Sequence, residues 1–180
     1  MNFEELVNNI NIFDGEYAWV TQVFIIVFGS LVLDFIQKHV INKLHRKLEQ
    51  TKNLWDDLLV VTAKKPLTYI IWLMGFTLAA EVMHKQSESA IFSIIGPVRE
   101  IGVIIIIMIF LLSLVKGAQA IFINYENETG EKDFDKHTVE AISKLFRASI
   151  IITSSLVVLQ TLGYSISGVL AFGGIGGVAV

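Results

Sequence analysis

The stretch 101–115 reads IGVIIIIMIFLLSLV, fifteen residues with no charge and one glycine. Few features narrow the choice of fold so sharply. Inside a bilayer no water can satisfy backbone N–H and C=O groups, so a spanning segment must be a helix or part of a closed barrel. A helix needs about 20 mostly apolar residues to cross the hydrocarbon core. The run extends to about 99–123, which meets that length, and it shows no polar-apolar alternation of the kind a barrel strand carries. Similar segments cover about 17–37, 66–84 and 145–162, and a further one begins near Ser167 and continues to Val180. The sequence therefore predicts an all-α membrane protein with about five transmembrane helices. Composition agrees: 53% of the 180 residues are hydrophobic and 17% charged, where a soluble domain carries about 25% charge.

The basic residues set an orientation. Residues 1–16 contain no Lys or Arg, the segment 38–65 holds seven, and 116–147 holds five of the chain's 14. Lys and Arg are retained on the cytoplasmic side, so five spans put the N-terminus outside. Four spans and a re-entrant loop would also fit the charge count. The organisation expected is an extracytoplasmic N-terminus (1–16), outer helices (17–123), a cytoplasmic connection (124–137), a penultimate helix (138–162) and a final helix starting at 163–180. Tyr17 and Trp19 suit one membrane interface, and Pro66 suits the first position of a helix. The 38–65 segment, with Ile41, Leu44 and Leu48 at helical spacing and Asp56 and Asp57 in a first turn, reads as an amphipathic hairpin. Its Lys43, Arg46 and Lys47 form a candidate surface for anionic lipid, and Arg147 is a further candidate lipid contact. Asp135 is the expected N-cap of the penultimate helix.

Chemistry is sparse. There are no cysteines, which removes disulfides and thiolate sites. His39, His45, His84 and His137 show no i,i+4 ligand spacing, so no metal or cofactor is expected, and no nucleophile-base motif argues for an enzyme. The acidic 124–137 connection argues against nucleic acid. Asp34 and Glu81 lie near helix ends, each four residues before a lysine (Lys38 and Lys85), and read as interface anchors. Thr153, Ser154, Ser155 and Gln160 are the one polar cluster within a span, and read as bonding to helix backbone or to a neighbouring helix.

The last eleven residues, LAFGGIGGVAV, place four glycines within 173–177. Between helices in lipid, small residues let backbones approach closely. Gly173 and Gly177 have the small-xxx-small spacing, and Ala171, Gly174, Gly176 and Ala179 widen the smooth surface. A helix smooth on two sides suits a ring of identical copies. Packing against the chain's own spans fits the same pattern.

The stretch LGYSISGVLAFGGIGGVAV (162–180) resembles the pore-helix entrance of the MscS-type mechanosensitive channels. TKNLWDDLLVVTAKKPL (51–67) and DKHTVEAISKLFRASIII (135–152) resemble other segments of that family, the five-span subgroup in particular. The resemblance implies a homo-oligomer, typically a heptamer, in which Ala171, Gly173, Gly174, Gly176, Gly177, Val178 and Ala179 line the pore or pack its helices. Val178 falls on the upper hydrophobic constriction, where the family often has Leu. A second ring and cytoplasmic β and α/β domains are expected after residue 180, which makes these residues the membrane half of a longer protein. The implied activity is a tension-opened channel passing ions and small solutes on hypo-osmotic shock, in an inner or organellar membrane with lipids as partners. A non-channel scaffold or a transporter that uses the glycines for packing is the alternative.

Overall fold

The computed structural model describes residues 18–48, 54–86, 94–129, 135–168 and 171. Four long helices account for nearly all of them: α1 (Ala18–Leu48), α2 (Leu54–Gln86), α3 (Ile95–Thr129) and α4 (Lys136–Thr161). Among the described residues there is no strand. All four helices are long and apolar enough to cross a membrane. Most of the fifth expected span, 163–180, lies outside the described residues, as does the 1–16 terminus.

The helices outrun the apolar segments. At about 1.5 Å per residue, the 35 residues of α3 reach about 52 Å, against a hydrocarbon core of about 30 Å. The expected surface hairpin 38–65 is the continuation of two spans. Its first arm belongs to α1, which ends on His45, Arg46 and Lys47, where the helix dipole favours cations. Its second arm opens α2 with Asp56 and Asp57 in the first turn, at the end that favours anions. Pro66 does not start a helix, as its position before an apolar run suggested. It sits inside α2, where the helix continues although the ring removes one backbone donor.

Packing follows chain order. Helix α1 packs on α2, α2 on α3 and α3 on α4, and among the described residues no other pair of helices brings its backbones together. Neighbours are antiparallel. Ser30 faces Gly75 while His45 faces Asp57; Leu73 faces Gly102 while Leu58 faces Gly117. The result is an open row of four rods. Buried apolar residues among those described are Ile41, Ala79, Val82, Ile106 and Val139, each small or β-branched, and no large side chain is fully buried. Phe35 is 70% exposed, Leu145 69% and Phe24 67%. In water such a surface would be untenable. In a bilayer, where lipid tails solvate it, the arrangement is the expected one.

Candidate pore segment and its supporting helices

Helix α4 leads to the glycine-rich segment, and its ends show how the chain is steered there. At the start, the Asp135 carbonyl accepts hydrogen bonds from the N–H groups of Thr138 (2.8 Å) and Val139 (3.1 Å). Asp135 holds the N-cap position, but its side chain makes no capping bond, so the expected carboxylate cap is replaced by backbone bonds. At the other end Gly163 has φ +86°. The Gly163 N–H donates to the Gln160 carbonyl (2.9 Å) and the Tyr164 N–H to the Leu159 carbonyl (3.0 Å). This crossed pair is a Schellman turn, and its left-handed residue is the place for glycine. The chain leaves α4 and is helical again at 166–168 and at Ala171. Ala171 is exposed. Gly173, Gly174, Gly176, Gly177, Val178 and Ala179 lie outside the described residues.

Helix α4 packs on α3 through one polar tie and two hollows. Arg147 donates through Nε to the Ser143 carbonyl (3.2 Å) and through Nη2 to Gln119 Oε1. The candidate lipid contact is thus half-buried and turned towards α3. Beside it, a cavity of about 470 Å³ lies between α2, α3 and α4, lined by Trp55, Leu59, Phe122, Val139, Phe146 and others. Ser154 and Ser155, from the polar cluster in α4, line a second cavity of about 360 Å³ against Ile104, Ile105 and Met108 of α3.

The outer helices carry the remaining candidates. Lys43, Arg46 and Lys47 are exposed near the end of α1. Lys38 Nζ donates to Asp34 Oδ2 at 2.7 Å, with the Asp34 side chain 11% exposed and that of Lys38 49%. Asp34 Oδ1 is buried without a hydrogen-bond partner. Arg99 Nη2 donates to Glu81 Oε2 at 3.1 Å, so Glu81 meets a cation on the next helix; the Lys85 side chain lies outside the described residues. Two contacts were invisible in the sequence. His45 Nδ1 lies 2.5 Å from Asp57 Oδ1, and Gln37 Nε2 donates to the Lys64 carbonyl at 3.2 Å. Each joins residues brought together only by the hairpin register. Among the described residues, no group of three or more His, Asp or Glu is placed to hold a metal ion.

Residues 144–180 match the family model described as "Mechanosensitive ion channel, transmembrane helices 2/3". The match covers most of α4, the Gly163 turn and the glycine-rich end. Over that segment the chain is similar to the mechanosensitive ion channels. The chain is also 26% identical over 183 aligned residues to the large-conductance mechanosensitive channel MscMJLR of Methanocaldococcus jannaschii. That alignment covers 100% of this chain and 50% of the relative, so the chain spans about half the length of the curated relative it matches. No solved structure matches. The four apolar helices and this similarity together point to a multi-pass membrane protein, and both matches are to channels.

Proposed function

We infer that this chain forms the membrane part of an MscS-type channel opened by bilayer tension, which passes ions and small solutes on hypo-osmotic shock. The observation that carries the reading is the coincidence of the family match with a specific local architecture. Residues 144–180 match the channel helices, and within them a long helix ends in a Gly163 Schellman turn just before the glycine-rich run. In this reading the run continues as a fifth span, and copies of it, in a heptamer, pack Gly173 and Gly177 against neighbouring small residues around a pore. Val178 faces the axis as a hydrophobic ring, which blocks conduction by dewetting.

The open row of helices supports a tension sensor. A closed bundle presents lipid with one convex surface, whereas a single layer exposes both faces to it. Tension favours any state of larger in-plane area, and a layer can tilt or splay without first breaking a core. Lys43, Arg46 and Lys47 would hold the α1 end against anionic headgroups of the cytoplasmic leaflet, with the N-terminus on the far side of an inner membrane. Efflux after osmotic downshock tests the reading. Cells lacking other tension-gated channels should survive the shock and release small solutes when they make the full-length protein; lysis at the rate of empty cells would count against it.

A further inference from the structure

The three seams of the helix row are not equally tied. Between α1 and α2, cross-helix polar contacts recur along the half nearer the 49–53 connection. The Gln37 amide donates to the Lys64 carbonyl and its Oε1 accepts from the Thr68 hydroxyl, both at 3.2 Å. Lys64 Nζ donates to Asn42 Oδ1 at 2.9 Å, and His45 meets Asp57 closer to the helix ends. Further out, the backbones approach so closely at Gly75 that a Cβ there would overlap the Ser30 hydroxyl. Several such bonds in register, each adding modestly to stability, fix both the spacing and the rotation of two helices.

The α2–α3 seam is built differently. Its ends are closed by Arg99 on Glu81 and, at the other end, by Trp55 edge-on to Phe122 with ring centroids 5.6 Å apart. Between them, leucines sit in glycine notches. A Cβ on Gly102 would lie 2.7 Å from the nearer Leu73 methyl, and one on Gly117 would overlap a Leu58 methyl. Leu58 and Leu73 are fifteen residues apart, as are Gly102 and Gly117, so the notches share one register about 22 Å apart. Midway, an apolar groove of about 190 Å³ runs along the seam, with a lining that includes Pro66, Ile70, Ile106 and Phe110. A methyl group in a glycine notch resists sliding along the axis, because the flanking side chains block it. It resists rotation about the axis much less, since no hydrogen bond must break.

We propose that α1 and α2 form one rigid hairpin that swings, like a door, about the line of the Gly102 and Gly117 notches, with the Glu81–Arg99 pair as its latch. The swing changes the separation of α1 from α3 and leaves the α1–α2 spacing fixed. In the tension-gated channel proposed above, on which this role rests, it would let the outer hairpin follow the bilayer independently of the helices that lead to the glycine-rich run.

Residues 1–180 contain no cysteine, so with any cysteine elsewhere in the full-length protein replaced by serine, spin-label distances are a clean test. Exposed Phe35 on α1, Tyr69 on α2 and Leu111 on α3 accept labels in the variants Phe35→Cys/Tyr69→Cys and Phe35→Cys/Leu111→Cys. The full-length protein is assembled with an excess of unlabelled chain and placed in liposomes, and lysolipid is added to one leaflet to raise tension. The α1–α3 distance should shift by several ångströms while the α1–α2 distance stays within its original distribution. Glu81→Gln should bring the same shift at a lower lysolipid fraction. An α1–α2 distance that shifts as much as α1–α3 overturns the rigid hairpin, and two unchanged distances overturn the hinge. Ion flux is recorded separately on the same liposomes. A moving hairpin without flux would defeat the channel reading and leave the hinge standing.

Discussion

At the scale of single residues, two positions carry sharp consequences. Asp34 is a carboxylate within an apolar helix, bonded to Lys38 through one oxygen and buried without a partner at the other. Removing one member of such a pair costs more than removing both, because the survivor is left charged in a poor solvent. Lys38→Met should therefore lower the thermal midpoint of the detergent-solubilised protein more than Lys38→Met combined with Asp34→Leu, and the double variant should recover most of the loss. The i,i+4 spacing of this pair was plain in the sequence; the orphaned oxygen was not, since burial depends on α2 lying across that face. Gly75 is the second position. A side chain there meets Ser30 Oγ and Cβ, so Gly75→Val should separate α1 from α2 and destabilise the protein by about 1–3 kcal/mol. Adding Ser30→Gly opens the space again, and a thermal unfolding series on the two single variants and the double should show the recovery.

At the scale of elements, the exit from α4 matters most. Gly163 holds φ +86° in the Schellman turn, a region in which a Cβ costs about 1–2 kcal/mol. Gly163→Ala should destabilise by about that amount, read by thermal unfolding, and alter the direction in which the chain enters the glycine-rich run. A Leu-Gly pair closing an apolar run is a sequence signal for such a turn, so this exit was legible in the residues themselves. So were the four spans, because apolar runs of this length admit few alternatives. The helix ends were less legible. Pro66 suggested a start and lies inside α2, since the preceding turns gain enough from packing on α1 to continue through it. Asp135 suggested a side-chain cap and supplies a backbone carbonyl instead. Local signals marked where a helix could begin; tertiary contact decided whether it did. The His45–Asp57 and Gln37–Lys64 contacts had no local signal, because they arise from the register of two antiparallel helices.

At the scale of the whole molecule, the central observation is a single layer of four membrane helices attached to a segment that matches the channel family. The layer shape could not be read from hydropathy, which reports that a residue prefers lipid or protein to water and does not distinguish the two. The similarity of the last segment to channels could, because its glycine pattern is both unusual and costly: each glycine in a helix gives up about 1 kcal/mol relative to alanine, a loss that close helix packing can offset. The most direct measurement is patch recording from liposomes holding the full-length protein while suction is stepped, for the wild type and for Gly177→Leu. If the proposed function holds, openings at a reproducible tension are expected in the wild type, with a shifted threshold in the variant, because a bulky side chain would lock pore helices that glycine would let slide. Silence up to patch rupture, with assembled oligomers present in the same membranes, would contradict the channel reading.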